Sequence, residues 1–173
     1  VVIIFDDVTR PTKTHEIAPH VINELQKAGI KDDNIRFVCA NGSHGVFDKE
    51  DFVKKLGENI VETYPVFNHN PYANIVYLGR TKYGTPVEIN AEVMACDLKI
   101  ALGCIVPHPY FGYGGGAKMI LPGVASMRSI CYNHGDLGGY SPAQNHRTVH
   151  PSSEMAYGRA NEENILRLDS EEA

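Results

Sequence analysis

The chain has 173 residues, of which 43% are hydrophobic and 21% charged, and a formal net charge of −5. That is enough for one globular domain with a real core. It offers no basic footprint for nucleic acid or an anionic membrane surface, and its apolar runs fall far short of the roughly 20 residues of a membrane-spanning helix. No signal peptide is visible. Cys39, Cys96, Cys104 and Cys131 form no CxxC pair, which argues against a disulfide framework or a zinc site and fits a reducing cytoplasm.

Residues 1–5 are a continuous apolar, β-branched run, the pattern of a parallel strand buried on both faces. The run ends in Asp6-Asp7-Val8-Thr9-Arg10-Pro11. Polar residues at the carboxyl end of such a strand lie where open α/β sheets bind ligands. Arg10, beside two carboxylates, is either an ordinary surface charge or a group that holds an anion or carboxylate. Thr14 is positioned to cap a helix with Ile17, Val21, Ile22 and Leu25 on its apolar face and Gly29 as its stop.

Residues 35–40 predict a second strand, ending in the small-residue loop Asn41-Gly42-Ser43-His44-Gly45. Asp48 caps the next helix, with Glu50 or Asp51 in its first turn, running to about residue 64. Residues 68–71 read as a loop, with His69 structural. Residues 74–78 predict a third strand. Residues 79–85 are turn-rich with Gly84 at a hairpin tip, and residues 86–89 either pair back or lead into a short helix over 90–95. Residues 98–106 predict a fourth, buried strand. Cys39 and Cys104 fall inside apolar strands and read as buried thiols.

The densest stretch runs from His108 through Gly112, Gly114, Gly115, Gly116 and Lys118 to His134. Glycines there allow positive φ or a close backbone approach. Residues 117–121 are expected to open a helix whose first N–H groups favour an anion. Lys118 then sits in a first turn, where a cation opposes the helix dipole unless a ligand rewards it. Pro122-Gly123 breaks that helix. Another covers residues 124–133, with His134 at or just past its end, where it either complements the dipole or serves a site. Glycine-rich turns of this kind are common, and this one matches neither GxxxxGK[ST] nor GxGxxG. From Gly135 on, the chain reads as a surface wrap and then a helix.

Strands alternating with helices predict an α/β fold with a doubly wound, mostly parallel sheet flanked by helices. Right-handed crossovers bring the Asp7–Arg10, His44 and His108–Lys118 loops to one carboxyl edge. Val1 opens in mid-strand and the last stretch is a charged helical pattern. Residues 1–173 therefore read as one catalytic or cofactor-binding domain of a longer protein.

The order and spacing of these blocks resemble the lactate racemase family, whose members use a nickel-pincer nucleotide. The blocks are Asp7-Val8-Thr9-Arg10-Pro11, Asn41-Gly42-Ser43-His44, Gly79-Arg80-Thr81, Gly84-Thr85-Pro86, His108 through Lys118, Leu121-Pro122-Gly123 and Asn133-His134. The resemblance is to the N-terminal domain of a two-domain enzyme. It implies racemisation or epimerisation of a 2-hydroxy acid, with a C-terminal domain as the partner that closes the site. It matches Lys118 to a lysine tethered to the cofactor through a thioamide and His134 to the nickel ligand. His44 and His108 match the two acid/base histidines. Asp7, Gly114, Gly115 and Gly116 match positions against the cofactor, and Arg10 the position that holds the substrate.

Gly114 stands where many relatives carry serine, Gly45-Val46 where an arginine is common, and Pro109-Tyr110-Phe111 adds bulk beside His108. The isolated chain is expected to be inactive or nearly so. Two other readings compete. One is a metal-dependent hydrolase with His44, His108 and His134 as direct ligands. The other is a non-catalytic module that binds a nucleotide or hydroxy acid. The racemase reading alone uses Asp7, Arg10, His44, His108, Lys118 and His134 together.

Overall fold

The computed structural model describes residues 1–81, 84–108 and 112–137. In chain order its elements are β1 (Val2–Phe5), α1 (Thr14–Lys27), β2 (Arg36–Cys39), α2 (Lys49–Leu56), α3 (Glu58–Thr63), β3 (Val66–Asn68) and β4 (Ile75–Arg80). There follow β5 (Pro86–Asn90), α4 (Ala91–Met94), β6 (Lys99–Leu102), β7 (Pro107–His108), β8 (Gly112–Tyr113) and α5 (Met127–Cys131). Four strands form a parallel sheet in the order β3-β2-β1-β6.

Every residue of β1 is buried, which is why its apolar run is unbroken. On one face Ile3, Phe5 and Phe37 pack against Ala18, Ile22 and Leu25 of α1, Phe52 and Leu56 of α2, and Ile60 of α3. The Phe5 ring meets Phe37 and Phe52 edge-on, at centroid distances of 6.3 and 5.8 Å. On the other face Val2, Ile4 and Val38 pack against Ile89, Val93, Met119, Val124 and Ile130. Helices on both faces of a parallel sheet make this the doubly wound α/β fold that the sequence predicts. Among the described residues no helix is long and apolar enough to cross a membrane.

The strand order reverses at β1, with β2 on one side and β6 on the other. Open α/β sheets bind ligands outside such a switch point. Phe5 is level with Cys39 and with Leu102, so the loops after β1, β2 and β6 leave the sheet along one edge.

Several local expectations are corrected. The third parallel strand is β3, inside the stretch read as approaching a loop; its three residues are too few for periodicity to register. Of residues 74–78, all but Asn74 instead belong to β4, which pairs antiparallel with β5 in a separate hairpin, bulged between Tyr77 and Gly79. The helix expected to reach residue 64 is interrupted at Gly57, whose φ of 87° ends α2 and starts α3. Asp48 caps α2 as expected, in a reciprocal capping box with Asp51.

Thr14 does not cap α1. It is the first helical residue, and it is buried. Ala18 rather than Ile17 completes the core-facing stripe, and Ile17 is 42% exposed. Gly29 stops the helix at φ 85°. The strand expected over 98–106 ends at Leu102, and Ile105 is 78% exposed. The helix expected over 117–121 is a 3₁₀ turn, Gly116–Met119, so Lys118 does not face the dipole of an α-helix. The helix expected over 124–133 starts later, where the Ser126 hydroxyl accepts from the Ser129 N–H. It widens into a π-helical turn, Tyr132–Leu137, that contains His134. The wrap and final helix expected after Gly135 fall mostly outside the described residues.

His69 is structural, as read. Its ring is buried between Asn90 Nδ2, 3.0 Å from Nδ1, and the Ala125 carbonyl, 2.8 Å from Nε2. An amide that donates to Nδ1 leaves Nε2–H to donate to the carbonyl.

Candidate active site

The loop after β1 turns back on itself, with the Arg10 N–H donating to the Asp7 carbonyl at 3.1 Å. This buries the Asp7 carboxylate where it can be satisfied. Oδ1 accepts from the Thr9 N–H and hydroxyl at 2.8 and 2.5 Å, and Oδ2 lies 2.7 Å from His44 Nδ1. Burial pushes the Asp7 pKa up, but the hydrogen bonds from His44 and Thr9 and the His44 charge outweigh it and hold the carboxyl below its ordinary range. A charged carboxylate at Nδ1 keeps the proton on that nitrogen, leaving Nε2 as the basic position. Asp6 is tied down separately by the Lys55 ammonium at 2.7 Å and by the Thr12 hydroxyl.

The loop after β2 is fixed by buried Asn41. Its side-chain amide donates to the Gly45 and His69 carbonyls at 2.6 and 3.0 Å, and its carbonyl accepts from the His69 N–H at 2.9 Å. This closes residues 41–45 into a compact turn that projects His44, whose side chain is 44% exposed.

The chain beyond β6 forms the β7–β8 hairpin, with His108 opposite Gly112. It then folds back along its own path. At Gly115, φ is 72°, and a Cβ would lie 2.4 Å from the Cys104 carbonyl oxygen. At Gly123 a Cβ would lie 2.2 Å from the Met119 carbonyl oxygen. These glycines serve chain-to-chain contact first. Gly114 is less constrained, since its added Cβ would meet only the Val106 Cγ2 at 3.2 Å and the Val106 carbonyl oxygen at 3.7 Å.

The three loops enclose a cleft of about 200 Å³. Asp7, Arg10, His44, His108, Lys118 and His134 all line it, with Gly114 and Gly115 in its wall. Gly116, one residue on, is exposed and does not line it. The structure thus brings together six of the side chains singled out in the sequence, from positions 127 residues apart in the chain (7 to 134).

The electrostatics share one sign. Burial, then the Lys118, Arg10 and His44 charges, lowers the His108 pKa to about 4. Burial, then Arg10, lowers Lys118 to about 8. Burial, then Lys118 and His108, lowers His134 to about 4, against an opposing hydrogen bond to the backbone of Ile130. Of the two carboxylates at the edge, Asp6 is ion-paired with Lys55 and Asp7 is hydrogen-bonded by His44 and Thr9. The cleft therefore presents neutral imidazoles beside cations and suits an anionic ligand. Among the described residues no three His, Cys, Asp or Glu side chains converge as a metal-binding group. His44, His108 and His134 are not arranged as the three direct ligands of a hydrolytic metal site.

Some contributors escaped the sequence reading. Cys104 is half-buried and lines the cleft, rather than lying inside a strand. Lys55 anchors Asp6 from beneath, and Asn41 anchors the His44 loop. Lys55 left a signal: it is a lysine on the face of α2 that carries Phe52 and Leu56 at helical spacing.

The chain matches the lactate racemase N-terminal domain family over residues 1–145. It is 35% identical over 136 residues to lactate racemases of Thermoanaerobacterium thermosaccharolyticum and Lactiplantibacillus plantarum, covering 78% of this chain and 32% of each relative. It therefore spans about a third of the length of the curated relatives it matches. The fold superposes on the lactate racemase apoprotein of T. thermosaccharolyticum with a TM-score of 0.76 and 31% identity, covering 92% of this chain and 40% of the other. A protein from Thermotoga maritima shares the fold at TM-score 0.73 and 23% identity, covering 96% and 43%.

Proposed function

The chain belongs to the lactate racemase family, matching its N-terminal domain, and from that premise we propose that it is the cofactor-binding part of a racemase or epimerase of a 2-hydroxy acid. The observation that carries the reading is the convergence of His44, His108, Arg10, Lys118 and His134 on one cleft. Activity is proposed for the whole longer protein, whose remaining part closes over the cleft. Residues 1–173 alone are expected to turn over no hydroxy acid.

The donor set fits a nickel-pincer nucleotide. His134, lowered to about 4, is neutral at pH 7, the form in which imidazole binds Ni²⁺. Lys118, lowered to about 8, has roughly a tenth of its amine uncharged at pH 7 and able to form a covalent bond. Arg10 and the remaining Lys118 charge favour a phosphate-bearing ligand. When bound, such a cofactor supplies a reversible hydride acceptor.

The chain's own residues do the rest. Arg10 holds the substrate carboxylate through its planar fork, fixing the neighbouring carbon. His44 takes the hydroxyl proton at Nε2, and Asp7 stabilises the imidazolium that forms, as it holds the Nδ1 proton throughout. His108 reaches the cleft from a different loop and provides the second base, which inversion requires on the opposite face. An anionic ligand offsets the Arg10 and Lys118 charges that depress His108, so its proton affinity rises when the cleft is filled.

The test is a mass spectrum of the full-length protein from cells that make the pincer cofactor, native and then denatured, with chiral analysis of lactate and malate after incubation. The expected result is an added mass that maps to Lys118 and racemisation of at least one acid. An added mass lost on denaturation would keep the cofactor and remove the tether. Bare, folded full-length protein that racemises nothing would overturn the reading.

A further inference from the structure

Lys55 lies outside the cleft yet touches the loop that carries Arg10 directly. Its side chain is 5% exposed. Its ammonium donates to the Arg10 and Thr12 carbonyls at 3.0 Å each and is ion-paired with Asp6 Oδ1 at 2.7 Å. The Thr12 hydroxyl in turn donates to Asp6 Oδ2. Lysine, aspartate and threonine thus close residues 6–12 into a ring, with Arg10 on its rim.

A buried ion pair is weak evidence for stability, because a well-packed apolar pair of the same volume often does as well. What an apolar pair cannot supply is direction. Lys55 holds the Arg10 carbonyl and the Asp7 carbonyl holds the Arg10 N–H, while the Asp7 carboxylate is held by Thr9 and His44. We infer that Lys55 is a positioning residue, which sets the backbone from which Arg10 reaches the substrate carboxylate.

This rests on the racemase reading for Arg10's task, but the loop geometry can be measured without it. Lys55→Met keeps an unbranched apolar stem, one atom shorter, and removes charge and direction. Lys55→Arg keeps the charge and the pair with Asp6, so the fold is preserved. However, a planar fork does not aim at all three oxygens. In the full-length cofactor-loaded protein both variants are expected to raise KM for the hydroxy acid, about tenfold for Lys55→Met, with kcat changed less. That is the signature of lost uniform substrate binding. A merely structural role would lower the amount of folded enzyme and leave KM alone.

Amide hydrogen exchange of the same proteins is the second readout. Residues 7–12 are expected to exchange faster in both variants while α2 stays protected. Wild-type exchange or wild-type KM in folded Lys55→Arg overturns the inference. Faster exchange in 7–12, together with a wild-type protein that racemises no hydroxy acid, overturns the functional reading instead and leaves the Lys55 ring standing.

Discussion

Two loops at the same sheet edge solve opposite problems. The loop after β1 pairs every charge it buries: Asp6 with Lys55, Asp7 with His44 and Thr9. The loop after β6 gathers basic groups, His108 and Lys118, with Arg10 close enough to lower both and His134 lowered by them in turn. One is a finished scaffold. The other is held in an arrangement that its own charges oppose, as binding sites often are. Rigid presentation and a basic, ligand-facing lining are separate tasks, and the fold assigns them to separate strands.

The comparison can be broken most forcefully at the histidines. His44→Ala and His108→Ala in the loaded full-length protein should each lower kcat about 10³-fold. If His44→Ala retains more than a tenth of the wild-type rate, the scaffold loop has no catalytic partner and Asp7 is merely structural. A second test asks whether the β6 loop has its own rigid part. Gly115→Ala forces a side chain into positive φ and against the Cys104 carbonyl. It should cost about 3 kcal/mol and lower Tm by roughly 10 °C. Gly114→Ala should cost less than about 1 kcal/mol. Equal losses in calorimetry would mean the loop is uniformly soft.

Acid sharpens the contrast further. His69, His108 and His134 all bind protons more weakly in the folded state than in the unfolded one. The unfolded chain therefore takes up more protons below about pH 6.5. Their contribution is fully present above that pH and is lost as the pH falls from 6.5 towards the folded values, about 4 for His108 and His134. Asp7, with its lowered pKa, adds a further loss at more acid pH. Melting temperature followed from pH 7 to 4 should fall steadily, and a flat profile would contradict the burial assigned to these rings. The smallest effect is at Lys118. Its lowered pKa means the folded state resists protonation, so Lys118→Met should stabilise the cofactor-free full-length protein by about 1 kcal/mol at pH 7. A lower Tm would show that its charge is compensated.

The sheet edge and its residues were legible because long-range order was written in local signals. An unbroken apolar strand followed by Asp-Asp, and histidines on small-residue turns, need no knowledge of packing. What was illegible depended on packing. β3 has three residues and becomes a strand only because β2 offers it an open edge. β4 opens on an apolar run like that of a parallel-sheet strand but pairs antiparallel with β5 in a hairpin. His134 was assigned to a helix end because the π-helical turn has no sequence signature. Lys55 was visible only as an oddity, a charge on an apolar stripe whose partner is 49 residues earlier (55 to 6).

Gly115 and Gly123 carry a lesson for anyone reshaping this cleft. Their α-carbons face peptide carbonyls, so no larger residue can be introduced at either position without moving the main chain that supports Lys118. Diversity belongs instead at Ser43, Cys104 and Gly114, which line the same space; at Gly114 an added Cβ meets no carbonyl closer than 3.7 Å. A combinatorial library built on those three positions samples pocket shape; one that includes the two glycines spends most of its members on misfolded protein.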